Sequence, residues 1–187
     1  MRDGELFTGD NSLAGEIWLL RNKLHPQTRA EDGANIGAVR RVYAEKAGIS
    51  FDESPEPKVI FEIGQGKHPG DTAAALEAFR QLGEVVGDAM GQALTLVDGL
   101  AVIGGGLSGA APLFMRALIT ELNGTYASPT GYTVRRLIPE VFNLEEPAQL
   151  PRFLAGASRE ITVPGSVRKS LLIPPRLPSA RTAPAAS

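Results

Sequence analysis

The sequence predicts an α/β fold, a single ribonuclease-H-like lobe in which helices flank a mixed sheet. First, an apolar run at residues 100–103 is followed by three consecutive glycines and then by a helix-compatible segment, which is typical of a buried strand, a loop and a helix. Second, apolar residues recur every three or four positions over residues 34–47 and 71–97, which predicts two amphipathic helices. Strands that alternate with helices are typical of this fold class.

The composition excludes several classes of protein. With 187 residues, 43% of them hydrophobic, and a net charge of −2, the chain can build one substantial core and has no charge excess that would attract nucleic acid or an anionic membrane. Cysteine is absent and the two histidines each precede a proline, so neither a disulfide nor a zinc site is expected. The sequence has neither a signal peptide nor an apolar run of the ~18 residues that a membrane span needs, and we therefore expect a cytoplasmic protein.

Carboxylates stand out in the N-terminal region. Residues 5–8 follow an Asp-Gly turn signal and predict a hairpin strand. Glu16 lies among apolar residues, where a charge must be solvated or paired; it either faces water at a strand end or has a function. Glu31 and Asp32 precede the helix predicted at 34–47, where acidic residues favour the positive end of the helix dipole, and we interpret Asp32 as a cap.

The longest predicted helix is flanked by two loops. Residues 51–57 are typical of a linker, and residues 60–63 predict the end of a helix or a short turn before a glycine-rich loop at 64–70. Asp71 and Thr72 then cap a helix that extends to about Val97. Its small residues indicate close packing against a neighbouring element.

The glycine segment at 104–109 favours a phosphate-binding loop. Glycines let a ligand approach the backbone, and the helix start that follows has unpaired N–H groups. A tight turn that binds nothing is the alternative. The spacing of Gly104, Gly106 and Gly109 also matches the dinucleotide fingerprint, but the acidic residue that this fingerprint requires is missing from residues 125–130. A Walker loop is excluded because no Lys-Ser or Lys-Thr pair follows.

The C-terminal part is predicted in shorter pieces. A helix is expected at 110–122, strands at 132–138, 140–144 and 161–163, and a short helix from Pro147 to Ala155. Residues 165–187 are rich in proline and basic residues, contain no acidic residue and show no period, so we divide the chain into a lobe at 1–164 and a disordered tail at 165–187.

Five motifs, taken in order, point to one family. They are a hairpin strand at 3–10, Ala-Gly-Glu-Ile at 14–17, Ala-Glu at 30–31 before a helix, Gly-Asp at 70–71 at the start of the long helix, and LAVIGGGLS at 100–108. In this order they resemble the C-terminal half of a ROK-family sugar kinase, the glucokinase-like branch of the actin/hexokinase ATPase superfamily. The similarity extends over residues 3–164.

The resemblance implies the roles of particular residues. Glu16 and Glu31 would accept hydrogen bonds from the hydroxyls of a hexose, and Gly104, Gly105, Gly106 and Ser108 would lie against ATP, which such kinases use with Mg²⁺. It also implies a homo-oligomer.

The sequence departs from the family pattern in several places. Trp18 and Leu19 replace the Gly-His of the motif, and residues 23–29 replace its cysteine-rich zinc loop, so no zinc is expected. No residue matches the catalytic aspartate or the phosphate loop of the N-terminal lobe, which we expect upstream of Met1. The tail after Gly165 does not match the final helix of the family, and a truncated gene with an altered reading frame near that point would account for it.

Three functions are therefore possible from the sequence. The first is the sugar- and nucleotide-contacting part of an ATP-dependent hexose kinase, with little or no turnover by itself. The second is a non-catalytic, sugar-responsive regulator remnant or an oligomerisation module, although no DNA-binding helix-turn-helix is visible. The third is a dinucleotide-binding oxidoreductase domain, which rests on the spacing of Gly104 to Gly109.

Overall fold

The computed structural model describes residues 6–155, 159–162, 169–172, 176–178 and 181–182. Five α-helices lie in this part of the chain: α1 (Ile36–Ala47), α2 (Pro57–Gly64), α3 (Thr72–Val97), α4 (Ala111–Leu122) and α5 (Gln149–Ala155). They combine with short strands, and the predicted α/β class is confirmed at this level. None of the helices in the described residues is long and apolar enough to cross a membrane.

The core is helical and is centred on α3, which packs against α1, α2 and α4. Aromatic and aliphatic side chains fill it, and Phe61 meets Phe79 edge to face at 6.2 Å between ring centroids. The largest fully buried apolar side chains are Val39, Ile60, Ile63, Phe79, Val85, Leu118 and Leu122. Since burial of one such side chain contributes roughly 1.5–3 kcal/mol, these helices form the stable framework of the lobe.

Local signals place the ends of the helices. The Asn35 side chain accepts a hydrogen bond from Ala38 N at the start of α1, and Gly48 ends the helix in the left-handed conformation at φ +68°. Asp71 caps α3 by accepting a hydrogen bond from Ala74 N, as the sequence predicts. Pro57 opens α2, since proline suits the first helical turn, and residues 60–63 lie near the end of this helix, which confirms the first of the two predicted alternatives.

The strands form four separate pairs. The first four in the chain are β1 (Val102–Ile103), β2 (Thr125–Ala127), β3 (Thr133–Arg135) and β4 (Glu140–Phe142). β2 and β3 pair antiparallel, whereas β1 and β4 pair in parallel with strands from the last part of the chain. The mixture of directions agrees with the prediction, but these pairs do not join into one sheet within the described residues.

The strand predicted as buried at 100–103 is shorter and more exposed than expected. Only Val102 and Ile103 are extended, and Leu100 and Val102 are 54% and 58% exposed. The prediction of burial was wrong for the described residues, because the strand that β1 pairs with there consists of Arg181 and Thr182 alone and leaves Leu100 and Val102 exposed. The strand expected at 5–8 is not formed over residues 6–8, and Glu5 lies outside the described residues.

Four short strands fall in the last part of the chain. They are β5 (Arg159–Thr162), β6 (Lys169–Leu172), β7 (Arg176–Pro178) and β8 (Arg181–Thr182). β5 pairs with β6, β7 with β4 and β8 with β1. The other residues after 162 lie outside the described part, so the division at residue 164 and the disorder of the tail stay predictions.

Candidate functional site

Two short 3-10 turns bring Glu16 and Glu31 into one region. The first turn is Ile17–Leu19, preceded by Glu16, and the second is Ala30–Gly33, which contains Glu31. The loop between them closes on itself, because Ala30 N donates to Leu20 O at 2.7 Å and Asn22 N donates to Thr28 O at 2.9 Å. Glu16 and Glu31, 15 positions apart in sequence, therefore sit at the two ends of one closed loop.

Trp18 and Arg29 connect the two carboxylates. The Trp18 indole N–H donates to the Glu16 carboxylate, and the Arg29 guanidinium lies over the Trp18 ring at 5.2 Å from its centroid. Arg29 Nη2 is also 3.6 Å from Glu31 Oε2 and 3.1 Å from Asp32 Oδ1. Glu16 and Glu31 both remain exposed to solvent. The result is an exposed surface with two acceptor groups, a cation and an indole ring.

Asp32 has the capping role that the sequence predicts, although it caps the turn Ala30–Gly33 rather than α1. Its side chain accepts a hydrogen bond from Arg29 N at 3.0 Å, and the Arg29 guanidinium donates to both carboxylate oxygens. These hydrogen bonds lower the pKa of Asp32. Both carboxylate oxygens of Asp32 thus accept hydrogen bonds from Arg29. In the described residues, Glu31 has one ion-pair contact, also with Arg29.

The loop at 20–30 is tied to the helical framework by Lys23. Its ammonium group lies 3.0 Å from Glu84 on α3 and 2.5 Å from Glu121 on α4. Burial alone would lower the pKa of Lys23, but the hydrogen bonds to the two carboxylates outweigh it and raise that pKa. The fully buried Asn22 holds the next turn, since its side-chain oxygen accepts hydrogen bonds from Leu24 N and His25 N.

The carboxylates that hold Lys23 belong to a larger ion network between α3 and α4. Arg136, 5% exposed, donates to Glu121 at 2.9 Å and to Asp88 at 2.5 Å. The sequence reasoning missed this network. A signal was available, because Glu84 and Asp88 are four residues apart on α3, and like charges at this spacing destabilise a helix unless each has a partner.

The glycine loop is built around Ser108. Gly105 adopts φ +96°, a conformation that glycine tolerates, and its carbonyl oxygen accepts hydrogen bonds from Ser108 N at 3.1 Å and Ser108 Oγ at 2.7 Å. Ser108 is buried and starts the turn Ser108–Ala110 before α4. A Cβ atom added at Gly105, Gly106 or Gly109 would meet nothing within 4 Å. The backbone is open to an approaching ligand on this side.

A groove of about 550 Å³ lies between α2 and the glycine loop. Its walls combine apolar side chains, Phe61 and Leu107 among them, with the exposed cationic residues Lys58 and Lys67. A second groove, of about 830 Å³, lies on the α4 side of Ser108 and Gly109. Gly104 and Gly105 line neither groove, and Glu16 and Glu31 line neither. In the described residues, Glu16 and Glu31 thus lie together near Trp18 and Arg29, while Gly106 and Ser108 each line one of these grooves.

The strand pairing argues against a dinucleotide fold. That fold needs the strand before the glycine fingerprint to pair in parallel with the strand after the following helix. In the described residues, the strand after α4 is β2, which pairs antiparallel with β3, and β1 pairs with β8. The spacing of Gly104, Gly106 and Gly109 is therefore not part of such a unit here.

Comparisons with known proteins agree with the kinase resemblance. No protein-family model and no curated protein sequence matches the chain. Among solved structures, a glucokinase from Parabacteroides distasonis is 42% identical, with a TM-score of 0.81 over 96% of this chain and 48% of that one. A sugar kinase from Cytophaga hutchinsonii shares the fold at 21% identity and a TM-score of 0.56, covering 65% of this chain and 42% of its own.

A third similar structure is a ROK-family glucokinase from Streptomyces griseus in complex with glucose and AMPPNP, 22% identical with a TM-score of 0.49, covering 64% of this chain and 45% of that one. The chain thus spans about half the length of the enzymes that it matches. The resemblance to a ROK-family sugar kinase is confirmed, and the chain is similar along nearly its whole length to part of a glucokinase.

Proposed function

We propose that this chain is the sugar- and nucleotide-contacting C-terminal part of an ATP-dependent hexose kinase. The observation that carries the proposal is its 42% identity to a glucokinase over 96% of the chain. We further propose that it adopts the ribonuclease-H-like lobe of that superfamily. Two groups of candidate residues support the proposed function: Glu16 and Glu31 offer carboxylate acceptors, and the glycine loop lies open beside a groove.

On the sugar side, Glu16 and Glu31 would bind hydroxyl groups. A carboxylate accepts up to about four hydrogen bonds through its two oxygens, so Glu16 keeps acceptor capacity while the Trp18 indole donates to it. Arg29 reaches Glu31 at 3.6 Å, longer than a good hydrogen bond, and leaves this carboxylate largely free. Two exposed acceptors in one region match a ligand whose surface is rich in hydroxyl donors.

On the nucleotide side, the 550 Å³ groove would take ATP. Phe61 and Leu107 offer apolar contacts to a base, Gly106 lets the nucleotide reach the backbone, and Lys58 and Lys67 add positive charge for phosphates. The described residues contain no group of three or more acidic, histidine or cysteine side chains that could hold a metal ion. We therefore assign none of the described residues to Mg²⁺. The ion itself would neutralise charge on the transferred phosphoryl group.

We propose little or no turnover by the chain alone. Transfer of a phosphoryl group to a sugar hydroxyl needs a carboxylate that accepts the proton of that hydroxyl, and no residue here matches the family's catalytic aspartate. Binding and catalysis should therefore separate: the chain binds its ligands and does not convert them.

Calorimetry tests the proposal. Separate titrations of the purified chain with glucose, ADP and NAD should give heat with the first two only. Glu31→Gln should abolish the glucose signal and keep the ADP signal, whereas Glu45→Gln, an exposed carboxylate on α1, should change neither. Absence of heat with both glucose and ADP would contradict the proposed function, and heat with NAD would favour the oxidoreductase reading.

An assay for glucose-dependent ADP release tests the inactivity. No release is expected from the wild-type chain. Release that disappears in Glu31→Gln protein would show that the chain is competent alone and would overturn this part of the proposal.

A further inference from the structure

Trp18 is an exposed aromatic ring in an unusual place. It is the only tryptophan of the chain, it is 40% exposed, and it lies between the two exposed candidate carboxylates. Ile17 and Leu19, its neighbours in the same turn, are 38% and 55% exposed. An apolar side chain left in water forgoes the free energy of burial, and neighbouring exposed apolar side chains that form one patch typically mark a binding site.

The ring is fixed in place on two sides. Its indole N–H donates to Glu16, and the Arg29 guanidinium lies 5.2 Å from the ring centroid. Arg29 is in turn held by Asp32 at 3.1 Å. The guanidinium takes one face of the ring, and the exposed remainder stays open. Because its position is fixed before a ligand arrives, the ring loses little conformational entropy on binding.

A hexose matches this combination of groups. A pyranose ring has hydroxyls around its rim and an apolar face of C–H groups, which carry partial positive charge. The face of an indole ring is negative and apolar, so it attracts such C–H groups as it attracts cations. A sugar whose hydroxyls reach Glu16 and Glu31 would place its C–H face near Trp18, since Trp18 already bonds one of these carboxylates and Arg29 contacts the other.

We propose that Trp18 is a specificity-determining residue that packs against the C–H face of the bound hexose. This inference rests on the proposed sugar site, and it adds a selection rule. Glucose, whose ring substituents are equatorial, has an uninterrupted C–H face. Galactose has an axial hydroxyl at C4, which interrupts the ring face that carries H2 and H4 in glucose and leaves the opposite face apolar. We place Trp18 against the face with H2 and H4, so it should favour glucose over galactose.

The test combines calorimetry with the fluorescence of Trp18. Glucose should change the emission of the wild-type chain, because this chain has no other tryptophan. Trp18→Leu should weaken glucose binding about tenfold or more and bring the glucose and galactose affinities together, whereas Trp18→Phe, which keeps a ring but loses the N–H, should retain most of the preference.

The matched control is Phe51→Leu. Phe51 is 47% exposed under the Arg40 guanidinium at 4.8 Å, so it is a similar ring and cation pair away from Glu16 and Glu31. The Phe51→Leu variant should therefore bind glucose with the same affinity as the wild-type chain. Circular dichroism shows whether each variant is folded. If Trp18→Leu is unfolded, the sugar preference of Trp18→Phe tests the role of Trp18 instead.

The outcomes separate this inference from the proposed function. Glucose heat in the wild type with unchanged affinity and sugar preference in Trp18→Leu overturns the role of Trp18 and leaves the sugar site intact. If Trp18→Leu is unfolded, loss of the glucose preference in Trp18→Phe overturns it as well. Absence of glucose heat in the wild type overturns both.

Discussion

Glycines occupy two regions of this molecule for opposite reasons. On α3, Gly83, Gly87 and Gly91 face α4 or Arg136, and a Cβ at any of them would collide with a neighbour. In the loop after β1, a Cβ at Gly105, Gly106 or Gly109 would meet open space. The first group brings helices close together, and the second leaves room beside the backbone.

The difference teaches how to interpret glycine in such a sequence. A glycine whose place is filled by a neighbour is there for packing, and its replacement should cost stability. A glycine that has an ordinary backbone φ and faces open space at a groove wall, such as Gly106, can be replaced by alanine with little loss of stability, and the replacement matters only where a ligand occupies that space. Stability and ligand affinity should therefore respond oppositely in the two regions.

Gly83→Ala should give the largest effect on stability. The added Cβ would press on the Phe114 carbonyl oxygen. Because the Cβ is held rigidly by the backbone of α3 and the oxygen belongs to the backbone of α4, the two helices must move apart. Overpacking of this kind costs about 2–3 kcal/mol. Chemical denaturation measures the loss, and a stability equal to that of wild type would show that α4 is not held against α3 as described.

Gly106→Ala should leave stability nearly unchanged and weaken ADP binding. No atom lies within 4 Å of the added Cβ, so the free energy of unfolding should stay within about 0.5 kcal/mol of wild type. ADP affinity should fall about tenfold, or about 1.4 kcal/mol, because the methyl group enters the 550 Å³ groove. Gly99→Ala, also open to space but outside that groove, is the control and should leave ADP binding unchanged. Equal ADP affinities in all three proteins would exclude the groove as the nucleotide site.

Lys23→Gln should have an intermediate effect. It removes the charge that links Glu84 on α3 to Glu121 on α4, and each carboxylate keeps only its arginine partner. Because Lys23 is 37% exposed, we expect a loss of only about 1 kcal/mol and weaker glucose binding. Lys46→Gln removes a pair with the adjacent Glu45 and should change neither property. If the two variants behave alike in both measurements, Lys23 does not hold the loop.

Glu77→Gln should give the smallest effect, and it should depend on pH. Hydrogen bonds from Arg80 lower the pKa of Glu77 from 4.5 to about 2. The pair therefore stabilises the fold above pH 4.5, and this contribution is lost as the pH falls toward 2. Since the pair is largely exposed, we expect about 0.5–1 kcal/mol at pH 7 and no difference near pH 2. Thermal melts across this range measure it, and a difference that persists near pH 2 would assign the effect to another cause.

The helices could be predicted from the sequence because their signals are local. The apolar period and Asp71 placed α3, and the period and Gly48 placed the end of α1. The strand at 100–103 was predicted to be buried, and this prediction was wrong. The burial of a strand depends on which strands lie beside it, and its own apolar residues do not specify those neighbours.

The proximity of Glu16 and Glu31 could be predicted from the sequence, whereas the ion pairs that hold their loop could not. The motifs around Glu16 and Glu31 placed both in one functional group, and the structure brings them into one region. Their role in binding stays a prediction. The Lys23 and Arg136 ion pairs join residues far apart in sequence, and no local pattern specifies such partners.

The contact between Lys23 and Glu121 also has a consequence for the order of folding. The two residues are separated by 98 positions, whereas the core of α1, α2 and α3 consists of neighbours in sequence. Closing a long loop costs more chain entropy than closing a short one, so contacts between sequence neighbours form first. On the ribosome, Glu121 emerges long after Glu16 and Glu31. We therefore expect the loop that carries these carboxylates to become fixed only after α4 has docked, which makes the sugar region one of the last parts of the lobe to mature.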